Sequence, residues 1–162
     1  MSVMAISKSV PRCIAVLAMT AILVGCATTG GYFSPMASLD AAELDTAAAN
    51  GVAADLVTQL EQHVGAGTGT IALMSDQSTF ALALEQHLRE RGYAVDPEAQ
   101  GADAIPLAFT LDTGDGLVLA RLSTSTVELT RFYAVSDGGV APSSPVSVLH
   151  RENESGASSE FV

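Results

Sequence analysis

The sequence predicts one domain of the α/β (α+β) class: a small mixed sheet of about five strands, with one βαβ unit followed by an antiparallel meander and helices packed on the sheet. Three observations predict it. Apolar residues recur at helical spacing over residues 44–60 and again over 80–88. The short apolar run Thr70-Ile-Ala-Leu-Met74 lies between those stretches, and Tyr93-Ala-Val95 follows the second. From Ile105 onward the apolar period changes from about 3.6 to about 2, the mark of half-buried strands.

Each element has its own punctuation. Asp40-Ala-Ala-Glu43 has the form of a capping box, with Leu39 and Leu44 at staple positions, so the first helix is expected to begin there. Leu44, Ala48, Val52, Leu56 and Leu60 then recur every four residues. Gly51 weakens the middle of that helix, and Gly65 is placed to stop it. Ser78 or Thr79 can cap a second helix whose Phe80, Leu84 and Leu88 share one face, and Arg89 and Arg91 sit at its end, where the helix dipole favours positive charge. The connection from Met74 to Tyr93 is long enough for a parallel crossover.

Ile105, Leu107, Phe109 and Leu111 alternate with small or polar residues, with Pro106 marking an edge strand or a strand start. Asp112-Thr-Gly-Asp-Gly116 is a turn; Leu117–Leu122 is the next strand and Val127–Val135 the last. Residues 39–137 thus form the expected folded domain. Residues 138–162, with Gly138-Gly139, Pro142, Pro145 and an acidic end, are expected to be a largely disordered tail.

The first 25 residues are expected to be a signal peptide. Lys8 and Arg12 precede twelve apolar or small residues, Cys13–Val24, too few to span a bilayer. The run closes in Leu23-Val24-Gly25-Cys26, which looks like the lipobox of bacterial lipoproteins, with Cys26 as the acylated residue. Residues 26–38, small, polar and glycine-paired, are expected to be a flexible tether. With Cys13 removed and Cys26 acylated, no thiol is left for a disulfide or a thiolate metal site. The resemblance to bacterial lipoproteins implies, with Ala27 rather than Asp after the cysteine, a place at the outer membrane facing the periplasm.

Charge limits the partners. From Cys26 onward five arginines stand against 18 acidic residues, a balance of −13 with no lysine. Such a body is unsuited to tracking a phosphate backbone, so direct nucleic acid binding is not expected.

The candidate chemistry is thin. Gly65-Ala-Gly-Thr-Gly69 follows a helix and precedes a strand, the wrong order for a dinucleotide loop, and no lysine completes a Walker motif. His63, His87 and His150 are isolated along the chain, with no second ligand at metal spacing. Glu85 and Glu90, like Asp112 and Asp115, fall on an exposed helix face or turn, and no Gly-x-Ser-x-Gly elbow occurs. No catalytic residue, metal or cofactor is therefore expected. Arg121 and Arg131 stand out because they interrupt strands of an acidic protein: either they pair with an acid such as Glu128, or they face a protein partner.

Gly67-Thr-Gly-Thr-Ile-Ala-Leu-Met74 and Phe80-Ala-Leu-Ala-Leu-Glu-Gln-His-Leu-Arg-Glu-Arg-Gly-Tyr-Ala-Val95 resemble the TrbH family of conjugal-transfer lipoproteins. So do Ile105-Pro-Leu-Ala-Phe109 and Val118-Leu-Ala-Arg-Leu-Ser-Thr-Ser-Thr-Val-Glu-Leu-Thr-Arg131. Leu-Ala-Arg-Leu-Ser-Thr-Ser is the most distinctive of these segments, and the resemblance runs from about Ala53 to Val148. It implies a component of the mating-pair-formation apparatus of a type IV secretion system, in contact with other conjugation-channel proteins and held to the membrane through Cys26. The residue-level reading leaves a second class open: a periplasmic regulatory or binding lipoprotein that acts by contact, for example on cell-wall synthesis.

Overall fold

The structure is a computed structural model that describes residues 37–65, 67, 69–136 and 139–151. The expected signal peptide, most of the tether with Cys26, and residues 152–162 lie outside them. Ten elements follow in order: β1 Leu39–Asp40, α1 Thr46–Val64, β2 Thr70–Leu73, α2 Thr79–Glu90, β3 Ala94–Val95, β4 Ala104–Gly114, β5 Leu117–Ser123, β6 Val127–Ser136, β7 Gly139–Pro142 and β8 Ser147–His150. The α+β class and the mixed sheet are as expected, with eight strands rather than about five.

The sheet runs β3-β2-β4-β5-β6-β7, with β1 joined to β4 and β8 to β6. The βαβ unit is present: β2 and β3 pair in parallel around α2, Thr70 opposite Ala94. β4 also lies parallel to β2, and the meander β4-β5-β6 is antiparallel throughout. Pro106 sits in an interior strand, yet it disturbs nothing. Asp103 and Leu107 turn their carbonyls to β2, accepting from Thr70 N and Met74 N. Pro106, between such positions, therefore turns its missing donor to the other side, where pairing with β5 begins only at Ala108.

Both helices pack on one face of the sheet. Ala48, Val52, Leu56 and Leu60 of α1 and Phe80, Leu84 and Leu88 of α2 close on Leu107, Phe109, Leu111, Val118, Ala120, Leu122, Val127, Leu129 and Tyr133, all buried. Phe80 meets Phe109 edge to face at 4.9 Å between ring centres. Ser78 caps α2 as expected, its side chain accepting from Ala81 N at 3.1 Å. Gly65 ends α1 at φ 81°.

Two expectations need correction. The first helix does not begin at the Asp40 box. Asp40 Oδ1 accepts from Ala42 N and Glu43 N, but Glu43 then turns to φ 48°, and the helix starts only after Asp45, whose side chain accepts from Ala48 N at 2.8 Å. Leu39 and Asp40 are held instead as β1, in parallel register with Thr110 and Leu111.

The second correction concerns residues 139–150, expected to be tail. They supply β7 and β8, which share the outer edge of β6: β8 pairs with Val127–Thr130 and β7 with Tyr133–Ser136. Ser144 fills the gap between them, its Oγ accepting from Phe132 N while Ser143 N donates to Phe132 O. Val140, Val146 and Val148 then pack on the core. Gly51 makes room for this: a Cβ there would lie 2.2 Å from Val140 Cγ1, so the residue that weakens α1 is the one that lets β7 close against it.

Candidate functional site

Strand alternation separates the two expected arginines. Arg131 falls on the helix-covered face, next in line with Val127, Leu129 and Tyr133, and Arg121 on the open face. Arg131 Nη1 bonds both oxygens of Asp55 on α1, at 3.0 and 2.9 Å, and its Nε donates to Ser144 O at 2.9 Å. Asp55 also accepts from the hydroxyl of fully buried Tyr133 at 2.6 Å. Burial, and then this bond to a carboxylate, push the Tyr133 hydroxyl well above the usual tyrosine range, with Arg131 offsetting part of the effect. Arg131 is thus an internal strut between α1 and β6, only 18% exposed, rather than a residue presented to a partner.

Arg121 pairs with Glu128 at 3.4 Å across the β5–β6 ladder and is 46% exposed. Glu128 sits among three donors: Arg121, the Ser123 hydroxyl at 3.3 Å, and Arg151, which also donates to Thr124 O. Buried Thr124 shapes the turn below, its Oγ1 accepting from Thr126 N and Val127 N. The distinctive Leu119–Ser125 segment therefore builds a hairpin end on which two guanidinium groups share one carboxylate. Sequence reading missed Arg151, which lay in the expected tail.

The same open face carries apolar side chains. Leu119 lies directly opposite Phe132, and Leu117 opposite Ala134, in the β5–β6 register. Phe132 is 41% exposed, and Leu149, opposite Glu128 on β8, is more so. No helix among the described residues covers these positions.

The remaining polar groups are dispersed. Glu85 pairs with Arg89 at 2.7 Å and Glu90 with His87 at 2.9 Å along α2, and Arg91 ties Glu61 and Thr58 of α1 to that helix. Asp112 accepts from its neighbour Thr113 N in the exposed β4–β5 turn. Among the described residues no three His, Cys, Asp or Glu side chains converge on a metal position. Two of the histidines are not isolated in space, however. His63 and His150 meet ring to ring, with centres 5.2 Å apart. A groove of about 320 Å³ beside the start of α1 is lined by Glu43, Asp45, Thr113, Leu117 and Val135 among others, and Asp45 is already spent capping the helix.

The model of the conjugal transfer protein TrbH family matches residues 28–152. The chain belongs to the TrbH family. A protein of Sinorhizobium fredii (strain NBRC 101917 / NGR234), described as a probable conjugal transfer protein TrbH, is 36% identical over 138 residues, covering 81% of this chain and 92% of that one. No solved structure matches. The family match takes in β1 through β8, including the two strands that were expected to be tail. Membership ties the chain to conjugal transfer and to the cell envelope. No helix among the described residues is long and apolar enough to cross a membrane.

Proposed function

We propose that this chain is a lipid-anchored assembly component of a conjugative type IV secretion apparatus, held at the outer membrane through Cys26, and that it works by contact with other channel proteins rather than by catalysis or direct binding of nucleic acid. The observation that carries the contact role is the open sheet face. Arg121 stands there half-exposed beside Phe132 and Leu119, on a body whose charge is otherwise strongly negative. An arginine beside an aromatic suits a partner that presents a carboxylate next to apolar side chains.

Arg121→Glu tests it. Losing a charge-assisted contact of about 1.5–3 kcal/mol weakens association roughly 10- to 100-fold, so transfer frequency falls. Thermal stability changes little, because a half-exposed ion pair contributes about 0–1 kcal/mol. Normal transfer from a stably folded Arg121→Glu protein overturns the contact role. Cys26→Ser tests the anchor separately: the protein should stay unprocessed or leave the membrane fraction, and processing and outer-membrane recovery like those of the wild type would refute it.

A further inference from the structure

His63 lies in the last turn of α1 and His150 ends β8, and the fold brings their rings edge to face, 5.2 Å between centres at an interplanar angle of 68°. An imidazole nitrogen lies about 1.1 Å from its ring centre and bonds zinc at about 2.0–2.1 Å, so two rings sharing one tetrahedral ion have centres about 5 Å apart. Rotation about the metal–nitrogen bond leaves the interplanar angle free. The ring spacing is therefore that of two ligands of one ion, and rotation of the side chains out of their edge-to-face contact turns a nitrogen of each toward it.

Two further features point the same way. The pair stands at the C-terminal end of a 19-residue helix, where the helix dipole favours a cation. His150 is exposed and His63 half-buried, so an ion has a path in and its remaining positions are open to water. We propose that His63 and His150 form a binding site for a divalent transition metal ion of the imidazole-preferring class, zinc or copper, which clasps the end of α1 to the end of β8. Such an ion fixes the strand that carries Leu149 on the open face and leads into Arg151.

The test uses the full chain, purified without a polyhistidine tag. Zinc titrated by calorimetry should bind with an affinity that falls tenfold or more in His63→Gln and in His150→Gln but not in His87→Gln, whose ring already bonds Glu90. A zinc-dependent rise in melting temperature, reversed by chelator, should be absent from His150→Gln, a substitution at an exposed position that leaves folding in chelator unchanged. Copper bound in place of zinc should show nitrogen coupling in its electron paramagnetic spectrum that weakens in either variant. Zinc affinity unchanged in both variants, as carboxylate or thiol binding elsewhere would give, overturns the proposal; so does a wild-type chain that takes up no zinc.

Discussion

Asp55→Ala removes the acceptor shared by Arg131 and Tyr133, and its cost can be worked from the geometry. Tyr133 is fully buried and its hydroxyl bonds Asp55 at 2.6 Å, so without that carboxylate a buried donor is left unpaired, at about 1–3 kcal/mol. The Arg131–Asp55 pair is 18% and 25% exposed, between the surface limit of about 0–1 kcal/mol and the 3–5 kcal/mol of a fully buried pair broken on one side. About 1–2 kcal/mol is the fitting share, since Arg131 keeps its bond to Ser144 O. The sum is about 3 kcal/mol, a large part of the 5–15 kcal/mol holding a domain together. Urea unfolding followed by far-ultraviolet circular dichroism should show the midpoint falling by on the order of 1–2 M. Tyr133→Phe alone should cost about 1 kcal/mol, and the double variant should cost less than the two singles added, because both remove the same bond. A loss below about 1 kcal/mol for Asp55→Ala, or strict additivity with Tyr133→Phe, would refute the strut.

Gly51→Ala ordinarily stabilises a helix by about 1 kcal/mol, but here the new methyl meets Val140 Cγ1, and overpacking costs about 1–3 kcal/mol. It should therefore lower the melting temperature in the wild type and raise it in a Val140→Ala background; the same sign in both would contradict the close approach. Tyr133 holds its proton in the folded state above the value of the unfolded chain, so its contribution is complete below about pH 10 and is lost as pH rises beyond it, by up to about 1.4 kcal/mol per pH unit. Urea midpoints taken from pH 8 to 11 should fall less steeply in Tyr133→Phe, and parallel slopes would exclude the linkage.

Local signals carried much of the fold. Ser78 followed by Phe80, Leu84 and Leu88 defines α2 without help from the rest of the chain, and the alternation of β4 to β6 states which face is buried. The misses have physical causes. Asp40 has every local requirement of a cap, but pairing with β4 claims its backbone first, a contact that no short window contains. The proline and glycine punctuation of 138–145 resembles a tail, whereas Pro142 closes an edge strand and Pro145 lies in the break between two. Glu128 and Arg131 lie three residues apart on one strand, so a period of about 2 puts them on opposite faces. That arithmetic was available, but the true partner, Asp55, lies on a helix 76 positions away. The meeting of His63 with His150 is likewise a product of topology alone.

β1 has a mechanical consequence. It is the first element among the described residues, and it is held by few bonds: two residues in register with β4, Ala41 N on Leu111 O, the Ser38 Oγ bond from Phe109 N, and the Asp76 bond to Asp40 N. A pull arriving from the N-terminal side loads these few bonds before it reaches Leu44 and α1, which are part of the core. Their release frees residues 37–41, about 17 Å of extended chain, while Ala42 and Leu44 stay packed on the core. With the anchor and the contact face proposed above, this leader yields first, so that separation between membrane and partner is absorbed as length rather than transmitted to the open face as strain.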